Sequence, residues 1–437
     1  MLENSTLVFT CTQCGEVYSE PRILCPFCKG LVRAEFKVSE KRSYETGIWR
    51  YYKHLPPLTN IITLGEGNTP LVKSTRISRE LSIYFKDEGR NPTGSVRDRA
   101  ASAIISHAAS SGAKRVVVVS DGNMGVSVSA YAARAGLKTL VYAPSWIEWE
   151  KALLVKAYGG RLVVEDKTID VLVREVEKKY RESGVYNATS TWNTLSIEGL
   201  KTIAYEIVEQ LGKAPRAVYV PLGSGLTHLA LYLGFKELSE QGVISRMPVI
   251  VGVEHCGNPK YAEYFGLNSK CREEVYPGLR YSTPLIYSFV VNAISKSGFV
   301  IVVTSKETIK AARILASSEG LFTEISSAVS LAGFLRNPLD ESVIVLFGHG
   351  LKSASSYTRP SRRRFTEPFV GVTKRLILEV LKSRPGLTGY EVWRSLGLNI
   401  SPQAVYQHLR ELVETGYLRV SVESGVKKYY ISSSLLH

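Results

Sequence analysis

The chain has no apolar run near the roughly 18 residues that a spanning helix needs and no charged-then-apolar N-terminal signal pattern. Those absences exclude a helical anchor and point to a cytoplasmic protein with no membrane partner. Cysteine is scarce, at six in 437 residues, which argues against a disulfide-stapled secreted scaffold. Acidic residues are in deficit, 40 against 55 Lys and Arg, leaving a formal +15. The deficit is uneven. From Arg359 to the C-terminus 13 Lys and Arg face 6 Asp and Glu, a net +7 by subtraction, so under a fifth of the chain carries nearly half the excess. This asymmetry predicts an appended module with a polyanionic partner. What remains is ordinary for a globular protein, 44% apolar and 22% charged, and 437 residues are too many for one core.

Four of the cysteines form two CxxC pairs, Cys11 with Cys14 and Cys25 with Cys28. Each pair puts two thiolates on one turn, and two facing turns complete a tetrahedral four-cysteine zinc site. Two disulfides or two redox pairs are the alternatives. The expected element is a structural zinc ribbon over residues 1–40, closed and therefore not catalytic. Cys256 and Cys271 read as isolated interior or surface thiols.

From residue 41 the pattern alternates strands and helices. Arg115–Val119, Ala217–Pro221 and Val249–Val253 are β-branched runs of the kind buried on both faces, and helical segments of ten to fifteen residues separate such runs. The alternation predicts parallel α/β sheets with ligands gathering at the carboxyl ends of the strands. Two strand ends carry glycine loops, Asp121-Gly122-Asn123 and Gly223-Ser224-Gly225-Leu226-Thr227. The second opens a helix, so its N–H groups can cradle a phosphate or simply make a tight turn. A third loop, Gly89-Arg90-Asn91-Pro92-Thr93-Gly94-Ser95-Val96-Arg97-Asp98-Arg99, joins a β-type run to an Ala-rich helix and aims its N–H groups at one point.

The Asn91–Arg99 stretch closely resembles the cofactor-lysine segment of threonine synthases, pyridoxal-phosphate (PLP) enzymes of the tryptophan synthase β type. Gly47–Tyr51, Leu64–Leu71, Glu319–Ala328 and Leu346-Phe347-Gly348-His349-Gly350-Leu351-Lys352 are similar to further family segments, and some threonine synthases carry a similar N-terminal ribbon. The resemblance implies a two-lobed PLP fold type II body over 41–352, a phosphate loop at Gly223–Thr227 and a cofactor contact at Asn123. Three positions depart. The Schiff-base lysine is replaced by Arg97, and a guanidinium with a pKa above about 12 cannot act as a neutral amine. The threonine facing the pyridine nitrogen is replaced by Phe347, which has no hydrogen-bonding group. A serine or threonine position holds Asp121, which repels an anion. The resemblance therefore implies PLP bound without a Schiff base, if bound, and no intact catalytic group.

Residues 353–368 read as a basic linker. Residues 369–437 read as three helices and a hairpin, similar to a winged helix-turn-helix. The third helix follows Ser401-Pro402 and buries Val405, Leu409, Leu412 and Val413, leaving Gln403, Tyr406, Gln407 and Arg410 on another face. Those residues, Ser401, and Lys427 and Lys428 of the wing are the expected DNA contacts, and a small dimerisation domain is the alternative. The combined expectation is a DNA-binding transcriptional regulator, a homodimer, whose body senses a small anionic or amino-acid ligand. The alternative is an active threonine synthase, making threonine from O-phospho-L-homoserine, with the winged helix as an appendage.

Overall fold

The computed structural model describes residues 7–37, 46–181, 183–267, 269–281, 283–357, 372–396, 401–414, 416–423 and 425–432. The chain divides into two compact units, Met1–Phe365 and Thr366–His437. The expected alternation is realised in the larger unit as two sheets. One has six strands in the order Gly298–Val303, Val249–His255, Ala217–Pro221, Ser342–Leu346, Ile83–Asp87 and Leu71–Lys73; all neighbours are parallel except the last pair. The other has four parallel strands, Arg161–Glu165, Lys138–Pro144, Arg115–Val119 and Tyr186–Asn187. The β-branched runs lie where helices cover both faces, and Val116, Val117 and Val118 have no exposed surface. No described helix is long and apolar enough to cross a membrane.

The helices Arg97–Ser110 and Leu195–Leu211 pack against each other. Gly199 permits the close approach, because a Cβ there would lie 2.1 Å from the Arg99 carbonyl oxygen. Arg99 itself is fully buried, donating to Glu88 at 2.7 Å from Nε and to Glu206 at 2.7 Å from Nη2. Lys86 Nζ donates to the same Glu206 at 2.8 Å, and the N–H groups of Asn68 and Thr69 also point at that carboxylate. Strand, loop and two helices are thus fastened by one charge cluster.

At the N-terminus Leu7–Cys11, Val17–Tyr18 and Val32–Phe36 form an antiparallel sheet with the first strand in the middle. It is seated on the body by Ile23 N–H to the Trp192 carbonyl at 2.7 Å and Thr194 Oγ1–H to the Val32 carbonyl at 2.6 Å. Cys256 and Cys271, expected as separate thiols, form a disulfide. Fifteen positions separate them in sequence, and the segment they enclose folds back so that Cys271 N–H meets the Cys256 carbonyl at 2.9 Å. Nothing local in the sequence announces that return.

Residues 353–357, the start of the expected linker, pack on the body. Ser353 is buried, Ser355 N–H donates to Glu150 at 3.1 Å, and Ser356 Oγ–H donates to Glu148 at 3.1 Å. The triple-arginine run lies outside the described residues. The smaller unit has helices Val372–Ser383, Gly389–Leu396 and Pro402–Glu414, with Leu387–Thr388 pairing onto the hairpin Leu418–Glu423 and Val426–Ile431. Thr388 and Glu391 bond reciprocally at the second helix's start, and Ile377, Leu381, Val392, Val405, Leu409 and Leu412 form its core.

Burial opposes the charge on Glu206, but Arg99 and Lys86 hold its carboxyl well below the usual range. Glu206→Ala leaves Lys86 without its carboxylate partner, and unfolding stability at pH 7 is expected to drop by about 3–5 kcal/mol in denaturant titrations. A depressed folded-state pKa contributes stability that is complete above the ordinary carboxylate pKa of about 4.3 and fades as pH falls, so the gap between wild type and variant should narrow below about pH 4.

Candidate functional site

The loop before the Arg97–Ser110 helix is built by its own side chains. Asn91 Nδ2–H donates to the Glu88 carbonyl at 2.9 Å and to Glu88 Oε2 at 2.8 Å, while its Oδ1 accepts from Gly67 N–H at 2.9 Å. Thr93 donates to Asp98 from both N–H and Oγ1–H at 2.6 Å, and Gly94 takes φ +81°, a conformation that costs glycine little. A second loop, following the strand Ser342–Leu346, lies alongside. Val96 N–H donates to the Phe347 carbonyl at 2.8 Å and His349 N–H to the Gly94 carbonyl at 3.0 Å. The two loops fix Arg97 and Phe347 on the wall of one cleft, whose space including its open mouth is about 680 Å³.

Asp121 and Asn123, at the carboxyl end of Arg115–Val119, line the same cleft. Asp121 Oδ2 accepts from Gly278 N–H at 2.6 Å and so holds the Pro277–Tyr281 segment across the cleft. Asn123 Nδ2–H donates to Glu324 Oε2 at 2.8 Å. Glu324 Oε1 lies 2.9 Å from Lys151 Nζ, which also pairs with Glu148. Burial works against the Lys151 charge, but the two carboxylates outweigh it and raise its pKa. Lys151 is therefore a fixed cation. Lys352 is the opposite case: buried beneath Gly94, its Nζ has no hydrogen-bond partner and burial brings its pKa down to about 8, despite the nearby Glu324 and Asp98.

The structure thus brings together Arg97, Asn123 and Phe347 of the expected cofactor residues. The glycine loop stands behind the Pro277–Leu279 segment. A Cβ on Gly223 would meet the Gly278 carbonyl oxygen at 2.4 Å, Gly225 takes φ +80°, and Tyr261 O–H donates to the Ser224 carbonyl at 3.0 Å. Leu226 opens the helix Leu226–Glu240, with Thr227 buried in its first turn. The loop keeps a helix N-terminus behind it, as a phosphate cradle requires. Lys151, Tyr281, Glu324 and the Gly278 peptide were not legible as pocket residues, because each comes from a different part of the chain. The Glu148-to-Lys151 spacing gave the single local hint of an ion pair.

PLP is the group that the family resemblance assigns to this cleft, and the cleft's lining opposes its covalent attachment. The guanidinium of Arg97 forms no Schiff base, Phe347 offers no partner for a ring nitrogen, and Asn123 is committed to Glu324 through its amide nitrogen. They do not fit a cofactor attached at position 97.

Elsewhere in the larger unit the sulfurs of Cys11, Cys14, Cys25 and Cys28 lie within 4.8 Å of one another. Cys11 to Cys28 and Cys14 to Cys28 are 3.4 Å, and Cys14 to Cys25 is 3.7 Å. A tetrahedron of thiolates about 2.3 Å from a zinc ion has sulfur–sulfur edges of about 3.8 Å. In the smaller unit Ser401 Oγ accepts from Ala404 N–H at 3.3 Å as the expected cap. Gln403, Tyr406, Gln407 and Arg410 are exposed on the Pro402–Glu414 helix, with Gln407 reaching Glu411 at 3.2 Å and the Tyr406 ring against Gly389. On the hairpin Lys427 is exposed and Lys428 pairs with Glu423 at 2.9 Å.

Comparison with known proteins places the body. Residues 62–348 match the model of the family described as "Pyridoxal-phosphate dependent enzyme". Threonine synthase of Methanocaldococcus jannaschii is 33% identical over 85% of this chain and 99% of that protein. Threonine synthase of Synechocystis is 34% identical over 70% of this chain and 82% of its own length. Among solved structures, maize serine racemase matches with a TM-score of 0.56 at 21% identity, covering 66% of this chain and 90% of that one, which shows a shared fold. A hydrogen sulfide-producing enzyme from Fusobacterium nucleatum matches with the same TM-score and identity, over 66% and 97%. These relatives overturn the reading of the chain as a transcriptional regulator with a sensory body. Similarity that runs almost the whole length of an enzyme favours the enzymatic alternative over the regulator that Arg97, Phe347 and the basic C-terminal module together suggested. The chain belongs to the pyridoxal-phosphate dependent enzyme family, with threonine synthases among its relatives.

Proposed function

We propose that the body is a threonine synthase-type enzyme acting on a phosphorylated four-carbon amino acid, O-phospho-L-homoserine, to release phosphate and yield threonine. The full-length similarity to threonine synthases carries this reading. Arg97 is the departure that any assay must confront. A guanidinium keeps its proton, so it can neutralise an anion but cannot relay a proton at neutral pH. Purified protein supplied with PLP is expected to lose it on dialysis and to form threonine and phosphate more slowly than a variant with an amine restored at position 97. Arg97→Lys combined with Phe347→Thr is expected to retain PLP through dialysis and fix it with borohydride. Absence of threonine from both wild type and double variant sinks the enzymatic reading.

The four cysteines support a structural Zn²⁺ as a second component of the proposal. Their sulfur–sulfur distances of 3.4 to 3.7 Å come close to the edges of a tetrahedral site, about 3.8 Å, and a three-stranded sheet of this size has little core of its own. Elemental analysis should find about one zinc per chain, and Cys14→Ser with Cys28→Ser should lose both the metal and the early part of the melting transition. Metal-free protein of undiminished stability refutes it.

For the smaller unit we propose a winged-helix appendage to the enzyme that contacts duplex DNA. The supporting observation is the helix Pro402–Glu414, with Val405, Leu409 and Leu412 buried and Gln403, Gln407 and Arg410 left on the surface. Full-length protein should bind duplex DNA with an affinity that falls as salt rises, and Lys427→Ala should reduce the salt slope by about one unit. Salt-independent or undetectable binding removes this contact.

A further inference from the structure

Two opposite charges share the cleft without meeting each other. The Arg97 guanidinium makes no ion pair or hydrogen bond among the described residues. Asp121 spends Oδ2 on the Gly278 N–H at 2.6 Å, which leaves Oδ1. Both charges lie close to the Tyr281 hydroxyl: burial raises its pKa most, Asp121 raises it further, and Arg97 pulls it down. Beside them stands an unmet acceptor. Glu324 takes Asn123 Nδ2–H at 2.8 Å, which fixes the amide with Oδ1 turned away, and that Oδ1 is buried without a partner.

We propose that the cleft binds an amino acid as its intact zwitterion, the ammonium on Asp121 Oδ1 and Asn123 Oδ1 and the carboxylate or phosphate on Arg97. An anion at the Asp121 end meets repulsion, and a neutral ligand leaves the guanidinium and the amide oxygen unsatisfied. An amine that no protein aldehyde or cofactor linkage captures stays largely protonated at neutral pH and needs acceptors of this kind. Lys151 does not compete for the role of cation here, because Glu148 and Glu324 already neutralise it. The inference rests on the enzymatic reading for its ligand and concerns only the complex formed before the substrate's amine joins a cofactor. It is tested by binding without turnover, so the two can fail separately.

The experiment is calorimetric titration of the full chain, without PLP, using O-phospho-L-homoserine and its N-acetyl derivative. Acetylation removes the positive charge, and the derivative is expected to bind at least about tenfold more weakly. Asp121→Asn retains an acceptor for Gly278 N–H; it should weaken the parent ligand about tenfold and leave the acetylated one unchanged. Arg97→Met should weaken both. Equal binding of the two ligands by wild type, tighter binding of the parent by Asp121→Asn, or no binding of the parent at millimolar concentration overturns the proposal. The wild-type comparison holds even if a variant fails to fold. Zwitterion-selective binding with no threonine formed leaves this inference standing and dismisses the enzymatic reading alone.

Discussion

Arg99 is the residue on which the pocket's geometry depends. A guanidinium with no solvent contact must have its donors met by the fold, and here Glu88, Glu206, Thr69 and Thr202 meet them. Glu88 also receives Asn91, which shapes the loop leading to Arg97, and Glu206 receives Lys86 from the strand below. The cluster therefore links the strand Ile83–Asp87, the loop and the helices Arg97–Ser110 and Leu195–Leu211 into one rigid piece. A partly satisfied buried charge is expensive, so this arrangement tolerates little drift.

On that rigid piece, the chemistry has been rewritten at a few side chains. The backbone course that presents residue 97 to the cleft is held by Thr93, Asp98 and the pairing with Phe347 and His349, none of which requires a lysine at 97. Arg97 can therefore replace another side chain without disturbing the loop that carries it. Family membership follows from the scaffold, whereas the charge pattern facing the cleft belongs to this chain. The two kinds of information answer different questions: Arg97, Phe347 and the basic C-terminal segment suggest a regulator, and similarity along the whole scaffold outweighs them.

The same contrast holds outside the cleft. The paired CxxC spacing was readable because each pair is local, and the structure brings all four sulfurs together. Cys256 and Cys271 carried no such spacing, and their union depends on a chain reversal between them. Residues 353–357, polar and serine-rich, read as linker because composition does not reveal that Glu148 and Glu150 wait for them at the start of the helix Trp149–Ala157.

The sequence by itself determined the element types and their alternation, since β-branched runs and glycine turns are governed by local sterics and by burial on both faces. It also determined the chemistry available at position 97, because no fold makes a guanidinium a neutral amine at physiological pH. Only the tertiary structure decided which charges share the cleft. Lys151, Tyr281 and Glu324 lie far from Arg97 in the chain and from one another, and it is their convergence that commits Asn123 and leaves its amide oxygen free. Electrostatic and hydrogen-bond partnership falls off within a few ångströms, so it is set by distance in space, which sequence spacing does not encode.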